Sequence, residues 1–160
     1  NDLYEGSGND SHTGAPPEAD QRTVSAVFAG KAGTMREKLN YLMNQGINVE
    51  QGMKYADDSL DFYEQLIALF MDEYEEKRAC VLKEAENLGQ SYTVLVHGLK
   101  NNARSLGAEK LADLAYAHEL ASKAGDTGFI KENLDALLET WEQTVHIFKE
   151  MQHLGIKNNN

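Results

Sequence analysis

The stretch Tyr92-Thr-Val-Leu-Val-His97-Gly-Leu-Lys100-Asn-Asn-Ala-Arg104-Ser-Leu-Gly107-Ala108 decides how this chain folds and where its chemistry lies. At about 100° per residue, its larger apolar side chains fall on one face of a helix, as the packing of a helical bundle requires. That predicted stripe consists of Tyr92, Leu95, Val96, Leu99, Ala103 and Leu106. His97 points nearly the opposite way. The stretch therefore predicts a packed helix that carries a histidine on its polar side.

Neutral and cationic side chains surround His97 on this helix. Within about 60° of it on the helical wheel lie Gln90, Thr93, Val94, Lys100, Asn101 and Arg104. Residues 90–108 contain no Asp or Glu, although the chain has 26 acidic residues. A lone helical histidine is most often a surface or core residue without chemistry. An exposed imidazole, however, keeps a substantial neutral fraction at pH 7, and its lone pair can act as a nucleophile.

The spacing around His97 resembles that of histidine-containing phosphotransfer (HPt) domains of two-component phosphorelays. The matching residues are His97, Leu99, Lys100, Gly107 and Ala108, followed by Leu111, Leu114, Glu119 and the pair Gly125-Asp126. Upstream, the resemblance includes Gly46, Ile47, Val49, Gly52, Leu60, Tyr63, Leu66, Leu69 and Phe70. It covers about residues 45 to 150.

Two positions depart from that pattern. The family commonly has glycine four residues after the histidine, whereas this chain has Asn101, whose amide either crowds the docking surface or donates to the phosphoryl group. The family usually has an apolar residue before the glutamate of the next helix, whereas this chain has His118 before Glu119. We interpret His118 as a histidine that is hydrogen-bonded within the bundle or at its rim.

The resemblance implies a phosphorelay intermediate of the kind found in hybrid sensor histidine kinases. His97 would accept a phosphoryl group from a receiver-domain aspartate and pass it to another receiver, and Lys100 would stabilise that group. Gln90, Thr93, Val94, Asn101 and Arg104 would form the docking face. This chain would bind no cofactor, because the receiver supplies the Mg²⁺. It would be a monomeric phosphocarrier without ATP-dependent kinase activity, and whether it counts as an enzyme is left open.

Composition excludes several other classes of function. The net charge of −11 argues against a nucleic-acid partner and against contact with an anionic membrane surface. The only cysteine is Cys80, so neither an internal disulfide nor a cysteine-based metal site is expected. No apolar run approaches the roughly 18 residues of a membrane span. A cytoplasmic location follows as the expectation.

The chain divides into three predicted parts. Residues 1–33 predict a flexible linker or an added N-terminal segment, because residues 1–20 are rich in Gly, Ser, Asp, Asn and Pro, a composition that buries too little apolar surface to fold alone. Because residue 1 is Asn, we expect the chain to be excised from a larger protein. Residues 34–154 predict the bundle, and residues 155–160 predict a frayed tail.

We predict an all-α fold, an antiparallel four-helix bundle that short N-terminal helices precede. Its main helices are expected at about residues 59–88, 91–106, 108–124 and 127–151, since short connections make successive helices antiparallel neighbours. The predicted apolar stripe of the first helix is Phe62, Leu66, Leu69, Phe70, Tyr74, Val81, Leu82, Ala85 and Leu88.

Two other classes of function stay open beside the phosphocarrier. One is a helical protein-interaction module that has kept the fold and lost phosphotransfer, which the unusual Asn101 favours. The other is a metal-binding bundle, although it would need two Glu-x-x-His pairs that face inward, and Glu150 and His153 are the only pair in the chain with that spacing. There is also no glycine-rich phosphate loop of a kinase.

Overall fold

The computed structural model describes residues 33–158 and is all-helical over that range. The helices are α1 (Gly33–Asn44), α2 (Val49–Tyr55), α3 (Leu60–Asp72), α4 (Tyr74–Asn87), α5 (Gln90–Leu106), α6 (Glu109–Lys123) and α7 (Thr127–Asn158). The predicted all-α class is therefore confirmed. The predicted linker at residues 1–33 and the last two residues of the predicted tail lie outside the described residues, except for Gly33 at the start of α1.

Local hydrogen bonds explain where several helices begin. The Asn48 side chain accepts from the Gln51 N–H at 3.0 Å and caps α2. Ser59 accepts from the Phe62 N–H at 3.1 Å and caps α3. Asp126 accepts from the Phe129 N–H at 3.0 Å in the first turn of α7.

Gly107 ends α5 and allows close contact with Asn48 at the start of α2. Its φ of 86° lies in the left-handed region, which glycine adopts readily beyond the last turn of a helix. A Cβ at this position would overlap the carbonyl of Asn48, whose N–H donates to the Gly107 carbonyl at 2.8 Å. Only glycine fits both requirements, so the entry to α2 packs directly against the end of α5.

The buried side chains lie between α5, α7 and the helices around them. Helix α5 packs against α2, α3, α4 and α6, and α7 packs against α1, α3, α4 and α6. The largest fully buried side chains include Tyr63, Tyr92, Trp141 and Phe148. Two edge-to-face aromatic pairs, Phe70 with Phe148 and Tyr74 with Trp141, join α3 and α4 to α7. This core therefore holds α5, the helix that carries His97, from several sides.

The predicted single helix at residues 59–88 is interrupted once. Glu73 separates α3 from α4, with φ −86° and ψ −4°, and its N–H still bonds to the carbonyl of Leu69 at 3.1 Å. No proline or glycine causes this break. Phe70 and Tyr74, on either side of Glu73, pack on different aromatic rings of α7, so the break accompanies tertiary packing that periodicity does not reveal.

The buried face of α3 also differs from the predicted stripe. On α3, Phe62 and Leu69 are 44% and 52% exposed, whereas Tyr63 and Ile67 are 1% exposed; on α4, Leu82 of the predicted stripe is 36% exposed. The Tyr63 hydroxyl donates to the carbonyl of Leu106 at 2.8 Å, so this phenol is buried with its polar atom satisfied. The helix is therefore rotated from the orientation that leucine and phenylalanine positions alone indicate.

The last helix is longer than predicted. Helix α7 continues to Asn158 instead of ending near residue 151, and it thereby includes residues 155–158 of the predicted tail. Among the described residues, no helix is both long and apolar enough to cross a membrane.

Candidate functional site

His97 lies on the outer side of α5 with a half-exposed side chain. Its side chain is 51% exposed, whereas Val96 and Leu99 beside it are buried. Within the stripe predicted for α5, Tyr92, Val96, Ala103 and Leu106 are also buried as expected, while Leu95 is only half-buried. Helical periodicity therefore places the imidazole at the surface, where another molecule can reach it.

A buried carboxylate on the neighbouring helix contacts the ring. Glu119 of α6 has a side chain that is 3% exposed, and its Oε2 lies 2.8 Å from His97 Nδ1. Because an ionised carboxylate only accepts hydrogen bonds, Nδ1 carries the proton and donates a hydrogen bond to Glu119. In the neutral ring, the free lone pair is therefore on Nε2, which is the atom available for nucleophilic attack.

Two lysines share the same carboxylate. Lys100 Nζ lies 2.8 Å from Glu119 Oε1, and Lys123 Nζ lies 3.1 Å from Oε2. Their side chains differ in accessibility, since Lys100 is 11% exposed and Lys123 is 60% exposed. We call these four residues, His97, Lys100, Glu119 and Lys123, the histidine cluster.

These contacts keep Glu119 ionised. Burial alone would raise the pKa of its carboxyl group, and it is the largest single effect. Hydrogen bonds from Lys100, His97 and Lys123, together with the charge of Lys100, outweigh that effect and lower the pKa to about 2. At neutral pH, the carboxylate is therefore a permanent acceptor for the Nδ1 proton of His97.

Lys100 is nearly buried within the histidine cluster. Besides its ion pair with Glu119, its ammonium lies 5.0 Å from the centre of the Tyr116 ring, within cation–π distance. Only 11% of the Lys100 side chain is accessible to solvent. Lys123, which the sequence analysis did not select, is the more accessible cation at Glu119.

Asn101 contacts the other ring nitrogen of His97. Its Nδ2 lies 3.2 Å from His97 Nε2, and both residues are exposed. Because Nδ1 carries the ring proton, Nε2 is the acceptor and the Asn101 amide is the donor. The side chain at the position where the resembling family commonly has glycine therefore interacts with the nitrogen that would be phosphorylated.

The second histidine of this region is buried and engaged. His118 is fully buried; its Nε2 donates to the carbonyl of Asn133 at 3.0 Å, and its Nδ1 accepts from the Tyr92 hydroxyl at 2.8 Å. Burial lowers the pKa of His118, with the hydrogen bond to Asn133 opposing that effect, and burial raises the pKa of Tyr92 to about 12. The interpretation of His118 as a hydrogen-bonded residue within the bundle is confirmed.

The remaining residues of the predicted docking face lie around His97 with different degrees of exposure. Gln90 is exposed, and Val94 is 65% exposed. Thr93 and Arg104 are half-buried, and the Thr93 hydroxyl lies 2.6 Å from the hydroxyl of Ser122 on α6. The face is thus accessible chiefly through Gln90, Val94, His97 and Asn101.

Helix α6 contributes side chains that the sequence analysis missed. Glu119 belongs to the residues that resemble the HPt pattern, but the sequence did not indicate its contact with His97. The available signal was a carboxylate on the packed side of α6, next to a helix with cations and no acid of its own. Tyr116 and Leu120, 44% and 48% exposed, also lie on the turns of α6 beside the cluster.

Residues 33–158 contain no group of three or more His, Cys, Asp or Glu side chains placed to hold a metal ion. Comparisons of this chain with protein-family models, with curated proteins and with solved structures find no match.

Proposed function

We propose that this chain is an HPt-like phosphotransfer module in which His97 accepts a phosphoryl group from a receiver-domain aspartate and donates it to another receiver. The observation that carries the proposal is the hydrogen bond between His97 Nδ1 and the buried carboxylate of Glu119. It directs the free lone pair to Nε2 on a half-exposed ring. The surrounding residues also match the spacing of the HPt pattern.

The chemistry requires a neutral imidazole with a defined tautomer. The Nε2 lone pair attacks the phosphorus of the aspartyl phosphate, the P–N bond forms, and the P–O bond to the aspartate breaks with its electrons returning to the carboxylate. The Nδ1 proton stays on His97, so the ring becomes cationic as the bond forms. The ionised Glu119 stabilises that charge at 2.8 Å.

The same contact favours the second transfer. When a receiver aspartate attacks phosphohistidine, the leaving group departs as neutral imidazole only if Nδ1 still carries its proton. Glu119 accepts the hydrogen bond from Nδ1–H throughout and so keeps the proton on that nitrogen, since its pKa of about 2 keeps the carboxylate ionised over the physiological pH range. A single fixed hydrogen bond therefore suits both acceptance and donation.

A receiver domain would supply the aspartate and the Mg²⁺ for each transfer. Its active-site rim is acidic, as the family resemblance implies. The helix that carries His97 has no carboxylate between residues 90 and 108, and Lys100, Arg104 and Lys123 lie around the imidazole. Complementary charge of this kind speeds encounter and fixes the orientation of the partners.

The same proposal includes the arrangement of the helices, which we propose to be an antiparallel four-helix bundle. In this proposal the module acts as a monomer in the cytoplasm, within or beside a hybrid sensor kinase. The order of contacts between α5 and α6 supports it. Thr93 near the start of α5 contacts Ser122 near the end of α6, and His97 contacts the earlier residue Glu119. Antiparallel neighbours have this order of contacts.

The test is phosphoryl transfer from a receiver domain that has been charged with acetyl phosphate. We expect phosphate on the chain that survives alkali and is lost in acid, and that maps to the peptide containing His97. His97→Gln should abolish it, while the buried His118 serves as the matched control through His118→Gln. Transfer to His97→Gln at the parent rate would contradict the proposal.

A second candidate function, a helical interaction module without phosphotransfer, is favoured by the contact of Asn101 with Nε2. It predicts that a receiver binds, as calorimetry would show, yet leaves no phosphate on His97. The same receiver preparation therefore separates the two functions.

A further inference from the structure

Both nitrogens of the His97 ring have a partner in the resting protein. Nδ1 donates to Glu119 at 2.8 Å, and Nε2 accepts from the Asn101 amide at 3.2 Å. The first contact fixes the tautomer, so the second falls on the only free lone pair of the neutral ring. Asn101 therefore occupies the position from which His97 would attack.

Attack and this hydrogen bond exclude one another. Reacting atoms must approach to about 3–3.5 Å along the direction of the lone pair, and the amide nitrogen lies at 3.2 Å from the same atom. Any phosphoryl donor must first displace the Asn101 side chain. For a small donor in water, that displacement gives up one hydrogen bond to the imidazole.

We propose that Asn101 is a specificity-determining residue that withholds the Nε2 lone pair of His97 from small phosphoryl donors and releases it to a docked receiver. The inference deepens the proposed function and rests on it for the receiver. Asn101 is exposed on the docking face, so a receiver reaches it in the same encounter that brings phosphorus to His97. The carboxylates of an acidic receiver rim then accept from the displaced amide and replace the contact that it loses.

The chain offers a matched control for this contact. Asn102 is the next residue on α5, is half-buried, and faces a small groove beside Leu66, Leu69 and Lys77. Replacing either asparagine with alanine makes the same change in composition and helix propensity. Only Asn101→Ala removes the donor at Nε2.

The first experiment measures the reactivity of the lone pair without any receiver. Diethylpyrocarbonate acylates neutral imidazole, and peptide mass spectrometry follows His97 and the exposed His146 in one sample. In Asn101→Ala, we expect the rate at His97 relative to His146 to rise about two- to tenfold, the factor that one hydrogen bond supplies. Asn102→Ala should leave this ratio at the parent value, because Asn102 faces the groove beside Leu66 and Leu69. An unchanged ratio in Asn101→Ala overturns the proposal.

The second experiment uses phosphoramidate as a small phosphoryl donor. The Nε2 lone pair attacks its phosphorus, the P–N bond of the reagent breaks, and ammonia leaves from the zwitterionic form with no further proton required. Asn101→Ala should phosphorylate His97 about two- to tenfold faster than the parent protein. Slower reaction of this variant would mean that the amide assists transfer, and it would also overturn the proposal.

The third experiment repeats the comparison with an acetyl-phosphate-charged receiver. Here Asn101→Ala should be accelerated less than it is with phosphoramidate, because the docked receiver already displaces the amide, so the ratio of receiver to phosphoramidate rates falls. An equal acceleration with both donors would overturn the selectivity. If no receiver phosphorylates the parent protein, the proposed function fails, while the diethylpyrocarbonate and phosphoramidate rates still decide whether Asn101 withholds the lone pair.

Discussion

Glu119 Oε2 accepts a hydrogen bond from His97 Nδ1 at 2.8 Å across the contact between α5 and α6. The carboxylate is 3% exposed and the imidazole is 51% exposed, so a buried charge orients an accessible ring. The effect on chemistry is indirect, because Glu119 determines which nitrogen carries the proton.

Glu119→Gln should weaken the preference for the Nδ1–H form of His97, because a neutral amide is a weaker acceptor than a carboxylate. We expect phosphoryl acceptance to fall roughly three- to tenfold, as the loss of about 0.5–1.5 kcal/mol from one hydrogen bond implies. Ring ¹⁵N chemical shifts of His97 at pH 8 report the tautomer directly. Unaltered shifts, together with a normal transfer rate, would show that Glu119 does not control the ring.

The two neighbouring histidines should behave in opposite ways on mutation. His97→Gln should abolish phosphoryl acceptance and change the free energy of unfolding by no more than about 1 kcal/mol, since the side chain is half-exposed. His118→Gln should retain acceptance and lose about 1–3 kcal/mol, because it disturbs hydrogen bonds with Tyr92 and Asn133 in a buried site. Urea denaturation and receiver transfer assays check both. A reversed pattern would assign the chemistry to His118.

The two lysines at Glu119 should differ in their effect on stability. Lys100→Ala removes a nearly buried partner of a buried carboxylate, so we expect a loss of about 1–3 kcal/mol in the free energy of unfolding. Lys123→Ala removes an exposed i, i+4 partner and should cost no more than about 0.5 kcal/mol. Denaturation at low and high salt compares them. Equal losses would mean that the different burial of the two ammonium groups has no energetic consequence.

Stability should decline in two stages as the pH falls. His118 is held neutral by burial, so its folded pKa lies below the ordinary 6.5, and the unfolded chain binds more protons below about pH 6.5. The folded pKa of Glu119 is about 2 against an ordinary 4.5, so its contribution is complete above about pH 4.5 and is lost as the pH falls towards 2.

Urea midpoints between pH 8 and pH 3 measure these two stages. The decline that begins near pH 6.5 should shrink in His118→Gln, and the decline below about pH 4.5 should shrink in Glu119→Gln. A parent curve that is flat from pH 8 to pH 5 would contradict the assignment to His118.

Docking of a receiver should depend on exposed residues of α5. Val94→Asp should weaken the complex mainly by faster dissociation, because it places a charge on an apolar contact beside His97. Phe62→Asp is the matched control, since Phe62 is also an exposed apolar residue, 44% against 65% for Val94, but lies on α3.

Arg104→Glu should lower the association rate and its dependence on salt. Surface plasmon resonance measures these rates, and equal effects of the Val94 and Phe62 variants would place docking elsewhere.

Local sequence patterns predicted the helices and the position of His97 because they depend on neighbours along one helix. Helical period and local capping at Ser59 and Gly107 set most of the described helix limits near their predicted places. The proximity of His97 and Asn101 also follows from their spacing of four residues, because residues one turn apart are neighbours on a helix. These features need no knowledge of how the helices pack.

Tertiary packing decided the rest. The stripe on α3 was misjudged because a buried tyrosine is acceptable only when a distant carbonyl, that of Leu106, accepts its proton. The break at Glu73 accompanies aromatic contacts with α7. The meeting of His97, Lys100 and Glu119 depends on the register of α5 against α6, which the period of either helix alone leaves undetermined. The sequence by itself thus determined which face of α5 carries the imidazole, and only the packing of α6 decided which ring nitrogen holds the proton.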